Sequence, residues 1–185
     1  MHAFFLGLAM LAGSNTGLAG ETFWAALEPL CGKAFAGELT RGTEPSDAAI
    51  GEQRLVMHVR ECSEREIRIP FHVGDDHSRT WVLTRDDAGV RLKHDHRHED
   101  GSEDEITQYG GDSRGHDGRS LEFPADAYTA EMLPAAASNV WTMAVTEDGR
   151  FIYQLRREEQ GRYFTVEFDL AEPVETPPVP WGYED

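Results

Sequence analysis

The chain of 185 residues carries 17 Lys plus Arg against 34 Asp plus Glu, a formal net charge of −17 with histidine neutral. That excess of negative charge excludes nucleic acid or an anionic membrane surface as the principal partner, because like charges repel across a Debye length. A hydrophobic content of 39%, with 10% aromatic residues, suffices for one buried core and excludes wholesale disorder.

Residues 1–19 read as a secretory signal peptide. They contain no Asp, Glu, Lys or Arg, Phe4 to Ala12 is a nearly unbroken apolar run, and Gly17 and Ala19 suit cleavage after Ala19. The run is too short to span a bilayer, and no other stretch comes closer. A periplasmic or secreted location follows, in which Cys31 and Cys62 form one disulfide. Residues 20–171 are then a single domain and 172–185 a Pro-rich tail. Thr22 caps a short N-terminal helix with Phe23, Trp24, Leu27 and Leu30 at helical spacing; Pro29 shortens it and Gly32 stops it.

Beyond that helix the hydrophobic period changes to two. Strands are expected near 35–41, 53–62, 65–73, 78–85, 90–98, 103–109, 139–146, 150–157 and 162–170. The turn signals between them, such as Asp86-Asp87-Ala88-Gly89 and Glu147-Asp148-Gly149, are too short for parallel crossovers. Antiparallel neighbours of this number, about eight or nine, make an all-β barrel. The stretch from Gly110 to Asn139 reads as an interruption, opening with a Gly-rich polar loop and holding a short helix before Pro134. The tail, with Pro173, Pro177, Pro178 and Pro180, is an extended segment laid over the surface and anchored by Trp181.

Val90 to His98 carries the most informative chemistry. In a strand, His94, His96 and His98 share the face of Val90 and Leu92, while Arg91, Lys93, Asp95 and Arg97 take the other. A two-residue turn at Asp100-Gly101 sets His98 opposite Glu103, His96 opposite Glu105, His94 opposite Thr107, Leu92 opposite Tyr109, and Arg97 opposite Asp104. A three-residue turn would instead bring Asp104 and Ile106 to the histidine face. Imidazoles beside carboxylates suit a divalent transition ion such as Zn, Cu, Ni or Fe, with His94, His96, His98 and Glu103 as ligands. His72 or His77 could add a further donor. The same side chains, with Glu105 and Tyr109, equally suit a hydrogen-bonded polar layer or the polar end of a ligand site.

Gly89, His96-Arg97-His98, Glu103 and Gly110 resemble the first motif of the cupins, metal-binding β-barrels. The Gly89-to-His96 gap is one residue longer than that pattern, and the second motif, with its remaining histidine, has no counterpart. The resemblance implies a metal held by His96, His98 and Glu103. A longer resemblance, carried by Leu30 to Phe35, Arg54 to Cys62, Ile67 to Asp75, Arg79 to Arg85, the histidine hairpin, Phe123 to Asp126 and Pro177 to Gly182, is to a group of secreted bacterial proteins. It implies export and brings no activity. A helix followed by a β-meander is similar in architecture to lipocalins.

No Gly-x-Ser-x-Gly elbow, Walker or Rossmann loop, or Cys-x-x-Cys pair stands in the chain. The reading is therefore an exported, non-enzymatic barrel that binds a small ligand at His94, His96, His98, Glu103, Glu105 and Tyr109. The alternatives are a cupin-like metal-dependent enzyme and an envelope interaction module with a filled barrel.

Overall fold

The structure, a computed structural model, describes residues 15–184. The apolar run assigned to a leader lies outside the described residues. The first described element, helix α1 (Asn15–Leu27), continues through the expected cleavage junction after Ala19. Thr22 is thus an interior residue of α1 rather than its cap. A single 3₁₀ turn over Glu28–Leu30 takes up Pro29 in its first positions, where the missing N–H costs nothing. Gly32, at φ +79°, then turns the chain away.

The strands are β1 (Ala34–Gly42), β2 (Leu55–His58), β3 (Glu61–Cys62), β4 (Glu66–Val73), β5 (Asp76–Asp86), β6 (Gly89–His96), β7 (Tyr109–Asp112), β8 (Arg114–Asp117), β9 (Ser120–Pro124), β10 (Val140–Val145), β11 (Arg150–Arg157) and β12 (Arg162–Val174). Two short helices, α2 (Pro45–Gly51) and α3 (Ala127–Met132), interrupt them. Eleven strands follow one another in the order β7-β6-β5-β4-β2-β1-β12-β11-β10-β9-β8, with β3 pairing only β4. All the pairings are antiparallel, and the result is a nearly closed barrel.

The strand count exceeds the expected eight or nine because the Gly110–Asn139 stretch is not a loop. β7 and β8 are two halves of one extended segment broken at Ser113; the first half pairs β6 and the second pairs β9. This segment hands the sheet from one edge to the other. Its seam is a backbone-to-backbone contact: Asp126 N–H donates to Gly110 O at 2.9 Å, and a Cβ on Gly111 would fall 1.9 Å from Pro124 O. The two glycines are there because no side chain fits, which their polar surroundings disguised. Residues 103–109, by contrast, form no strand beyond an isolated bridge of Glu103 to Arg97.

Alternation along the strands builds the core. Ile67, Ile69 and Phe71 of β4, Trp81 and Leu83 of β5, and Phe164, Val166 and Phe168 of β12 all point inward and are buried. α1 packs against β6, β8, β9 and β10 and inserts Phe23, Trp24 and Leu27, each fully buried, into the end of the barrel where β6 begins. The Cys31–Cys62 disulfide ties the end of this plug to β3. β12 runs on to Val174, past the expected start of the tail, and Pro173 pairs Phe35 beyond an irregularity in the ladder. The tail proper crosses the outside of the barrel, where Trp181 N–H donates to His77 O and Tyr183 O–H donates to Asp95 Oδ2 at 3.0 Å.

Gly111→Ala should lower unfolding stability by about 2–3 kcal/mol or more, because the seam must part to admit the methyl group. Urea denaturation reads it; an unchanged midpoint would show that the seam is not tight. Removing the disulfide by replacing both cysteines with alanine should cost about 3–4 kcal/mol in the same assay.

Candidate functional site

The barrel end opposite α1 is open. A cavity of about 470 Å³ lies there, walled by Phe71, Trp81, Tyr109, Trp141, Tyr153 and Phe164, with Ile50 of α2 and Ile106 at the rim. Strand register explains how these rings converge. β5 and β6 pair Arg79 with His96 and Trp81 with His94, all on the inward face, and β6 and β7 pair His94 with Tyr109. The rings lie in layers: His94 on Tyr109 with centroids 4.4 Å apart, and Trp81 on Tyr153 at 4.4 Å.

Hydrogen bonds fix the imidazoles. His94 Nδ1 lies 3.0 Å from the Tyr109 carbonyl oxygen, which can only accept, so Nδ1 carries the proton. His94 Nε2 is then the acceptor for Tyr153 O–H at 2.8 Å. His96 Nε2 pairs with Tyr109 O–H at 2.9 Å, while His96 Nδ1 has no protein partner among the described residues. Burial drives the titrations. Desolvation lowers His94 to about 3, outweighing its bond to the Tyr109 carbonyl, and lowers His96 to about 4, with Arg79 acting in the same direction. The same loss of solvent raises Tyr109 to about 12 and Tyr153 well above the usual phenol range. Near neutral pH the whole layer is uncharged.

Charge stands only around the rim. Arg162 makes a bidentate pair with Asp47, at 2.5 and 2.8 Å, and Asp47 also accepts the backbone N–H groups of Thr43 and Glu44 at the start of α2. Arg79 donates through Nη1 to Asp76 at 2.7 Å. Asp104 faces the cavity beside His96.

Of the residues singled out from sequence, His94, His96 and Tyr109 meet in the cavity, and His98, Glu103 and Glu105 do not. The hairpin uses the three-residue turn: His98 N–H donates to Ser102 O and Asp104 N–H to His96 O. This puts His98, Glu103 and Glu105 on the exposed hairpin, and Glu103 pairs with Arg97 at 3.2 Å. Arg97 meets Asp95 at 2.9 Å rather than the expected Asp104. The chain then bulges, with Gln108 at φ +59°, and resumes pairing three residues out of step so that Tyr109, not Thr107, faces His94.

The expected metal set therefore does not assemble. Both nitrogens of His94 are engaged, His98 and Glu103 lie on the exposed turn, and no group of three or more His, Cys, Asp or Glu converges among the described residues. The cupin-like trio fails for the same reason. His72 and His77 approach each other, Nδ1 to Nδ1, at 2.6 Å, but His72 alternates with the inward Phe71 and Val73 and so lies on the outer face under the tail. Sequence reasoning missed Tyr153, Trp141, Arg79 and Arg162, which come from distant strands. The inward alternation of Tyr153 and Trp141 was visible, whereas nothing local marked the two arginines as facing inward. Comparison with protein-family models, curated proteins and solved structures finds no match to the chain.

Four histidines, His58, His72, His94 and His96, titrate below the 6.5 of an exposed imidazole, each chiefly through burial. The unfolded chain takes up protons as pH drops through 6.5 that the folded chain refuses until about 4 or lower. Their contribution is intact above that range and is lost as pH falls toward 4. His94 alone contributes a slope of at most about 1.4 kcal/mol per pH unit. Urea midpoints measured between pH 7 and pH 4 should fall steadily, and His96→Gln should flatten the decline. A flat wild-type profile would contradict the buried, neutral layer.

Proposed function

We propose that the protein is a non-enzymatic small-ligand-binding barrel whose site is the open mouth, with His94, His96 and Tyr109 as its polar end. One observation carries this reading: a cavity of about 470 Å³, in the size range of small-molecule sites, is left open over a barrel that is otherwise filled. A filled-barrel interaction module would have no use for such a space. Holding a ligand suits the site better than transforming one, because His94 and Tyr153 are engaged with each other and the phenols stay protonated. The Cys31–Cys62 disulfide supports a periplasmic or secreted location. No helix among the described residues is long and apolar enough to cross a membrane.

Val73 lines the cavity, and a larger side chain there should fill it. Nile red, a flat uncharged dye, should bind the wild-type protein at one equivalent with a rise in emission. Val73→Trp should abolish that rise while leaving the circular dichroism spectrum unchanged. Equal dye binding by both proteins, or none by the wild type, would remove the mouth as the ligand site.

A further inference from the structure

The walls of the mouth are ring faces, which match a flat molecule better than a bulky aliphatic one. Its charges come in compensating pairs. Among the lining residues two arginines, Arg79 and Arg162, oppose two aspartates, Asp47 and Asp104. Arg162 is fully engaged by Asp47, and Arg79 leans on Asp76 just outside. A carboxylate entering the mouth meets those aspartates and the field of a chain with formal charge −17. An ammonium meets both guanidinium groups. Either charge also loses its water against the aromatic wall without gaining a dedicated partner.

One polar position stays open. His96 binds Tyr109 through Nε2 only, and that bond works in both directions. If Tyr109 O–H donates, the neutral ring carries its proton on Nδ1 and offers a donor. If Nε2–H donates, Nδ1 is an acceptor. From this arrangement we infer that the mouth selects an uncharged, flat aromatic ligand bearing one hydroxyl or amide N–H group, which hydrogen-bonds to His96 Nδ1. The inference deepens the ligand-binding reading above and rests on it.

Equilibrium dialysis against four matched probes tests it near neutral pH: 2-naphthol, 2-methylnaphthalene, 2-naphthoate and 2-naphthylmethylammonium. The expected result is that 2-naphthol binds about 3- to 10-fold more tightly than 2-methylnaphthalene, the span of one hydrogen bond, and that both ions bind more weakly than either. His96→Phe should bring 2-naphthol down to the level of 2-methylnaphthalene. Unchanged 2-methylnaphthalene binding in that variant shows that the barrel is intact. An ion binding as tightly as 2-naphthol overturns the charge selection, and a preference that survives His96→Phe overturns the role of His96. Equal binding of 2-naphthol and 2-methylnaphthalene sinks the ligand class but leaves the ligand-binding reading standing. Failure of all four probes to bind sinks both.

Discussion

The fold depends on a contact in which two backbones touch with nothing between them. A sheet of this length has two edges, and each edge strand exposes unpaired N–H and C=O groups that cost free energy when buried and invite aggregation when exposed. The segment of β7 and β8 solves both edges by pairing β6 with its first half and β9 with its second. The exchange works only because Gly110 and Gly111 let the segment lie against Leu92 O and Pro124 O, where Cβ atoms would fall about 2 Å from the two oxygens. The same seam sets Tyr109, one residue before the glycines, beside His94. Closure of the barrel and assembly of the site are therefore one event.

The interior is graded from one end to the other. Phe23, Trp24 and Leu27 fill the end where β6 starts, and Phe35, Phe151 and Phe168 fill the middle. The next layer is polar but uncharged: His94, Tyr153, His96 and Tyr109 bond one another in place of water. Hydrogen bonds hold the rings at fixed orientations where close packing ends, so the cavity keeps its shape without being filled. A layer of apolar residues there would either collapse into the space or expose a greasy mouth. Charge appears only at the rim, each arginine with a carboxylate beside it.

Much of this was legible in the sequence, and the parts that were not share a physical cause. Strands β4, β5, β10, β11 and β12 announced themselves by alternation, because each has one buried face and short polar turns. The inward direction of His94 and His96 followed from Val90 and Leu92 by the same rule. β7, β8 and β9 were missed because their identity depends on partners far along the chain; locally, Gly110 and Gly111 look like a loop. The hairpin register failed for a related reason. Two-residue and three-residue turns are both consistent with Asp100-Gly101, and the deciding factors are a left-handed Gln108 and Asp104 bonding the Ile106 N–H, features of the fold rather than of composition. That single-residue difference moved His98 and Glu103 from the lumen to the surface and took the metal reading with them.

Strand β6 also carries the site's support on its other side. Asp95 points outward between His94 and His96 yet is only 1% exposed, an expensive place for a carboxylate without partners. It has them: Arg97 Nε at 2.9 Å, Gln108 Nε2 at 3.2 Å and Tyr183 O–H at 3.0 Å. Gln108 is the left-handed residue that swings Tyr109 into line with His94, so the carboxylate pins the bend from outside. Tyr183 in turn takes a bond from Arg68 Nη1 at 2.9 Å, fastening the end of the tail to β4. The Pro-rich tail is thus joined to the cavity through two residues of one strand and the bend beside it. Its buried prolines cover the histidine pair outside while its tyrosine steadies the ring layer inside. This connection is why the last residues of the chain belong to the architecture of the mouth, although they lie on the opposite face of the sheet.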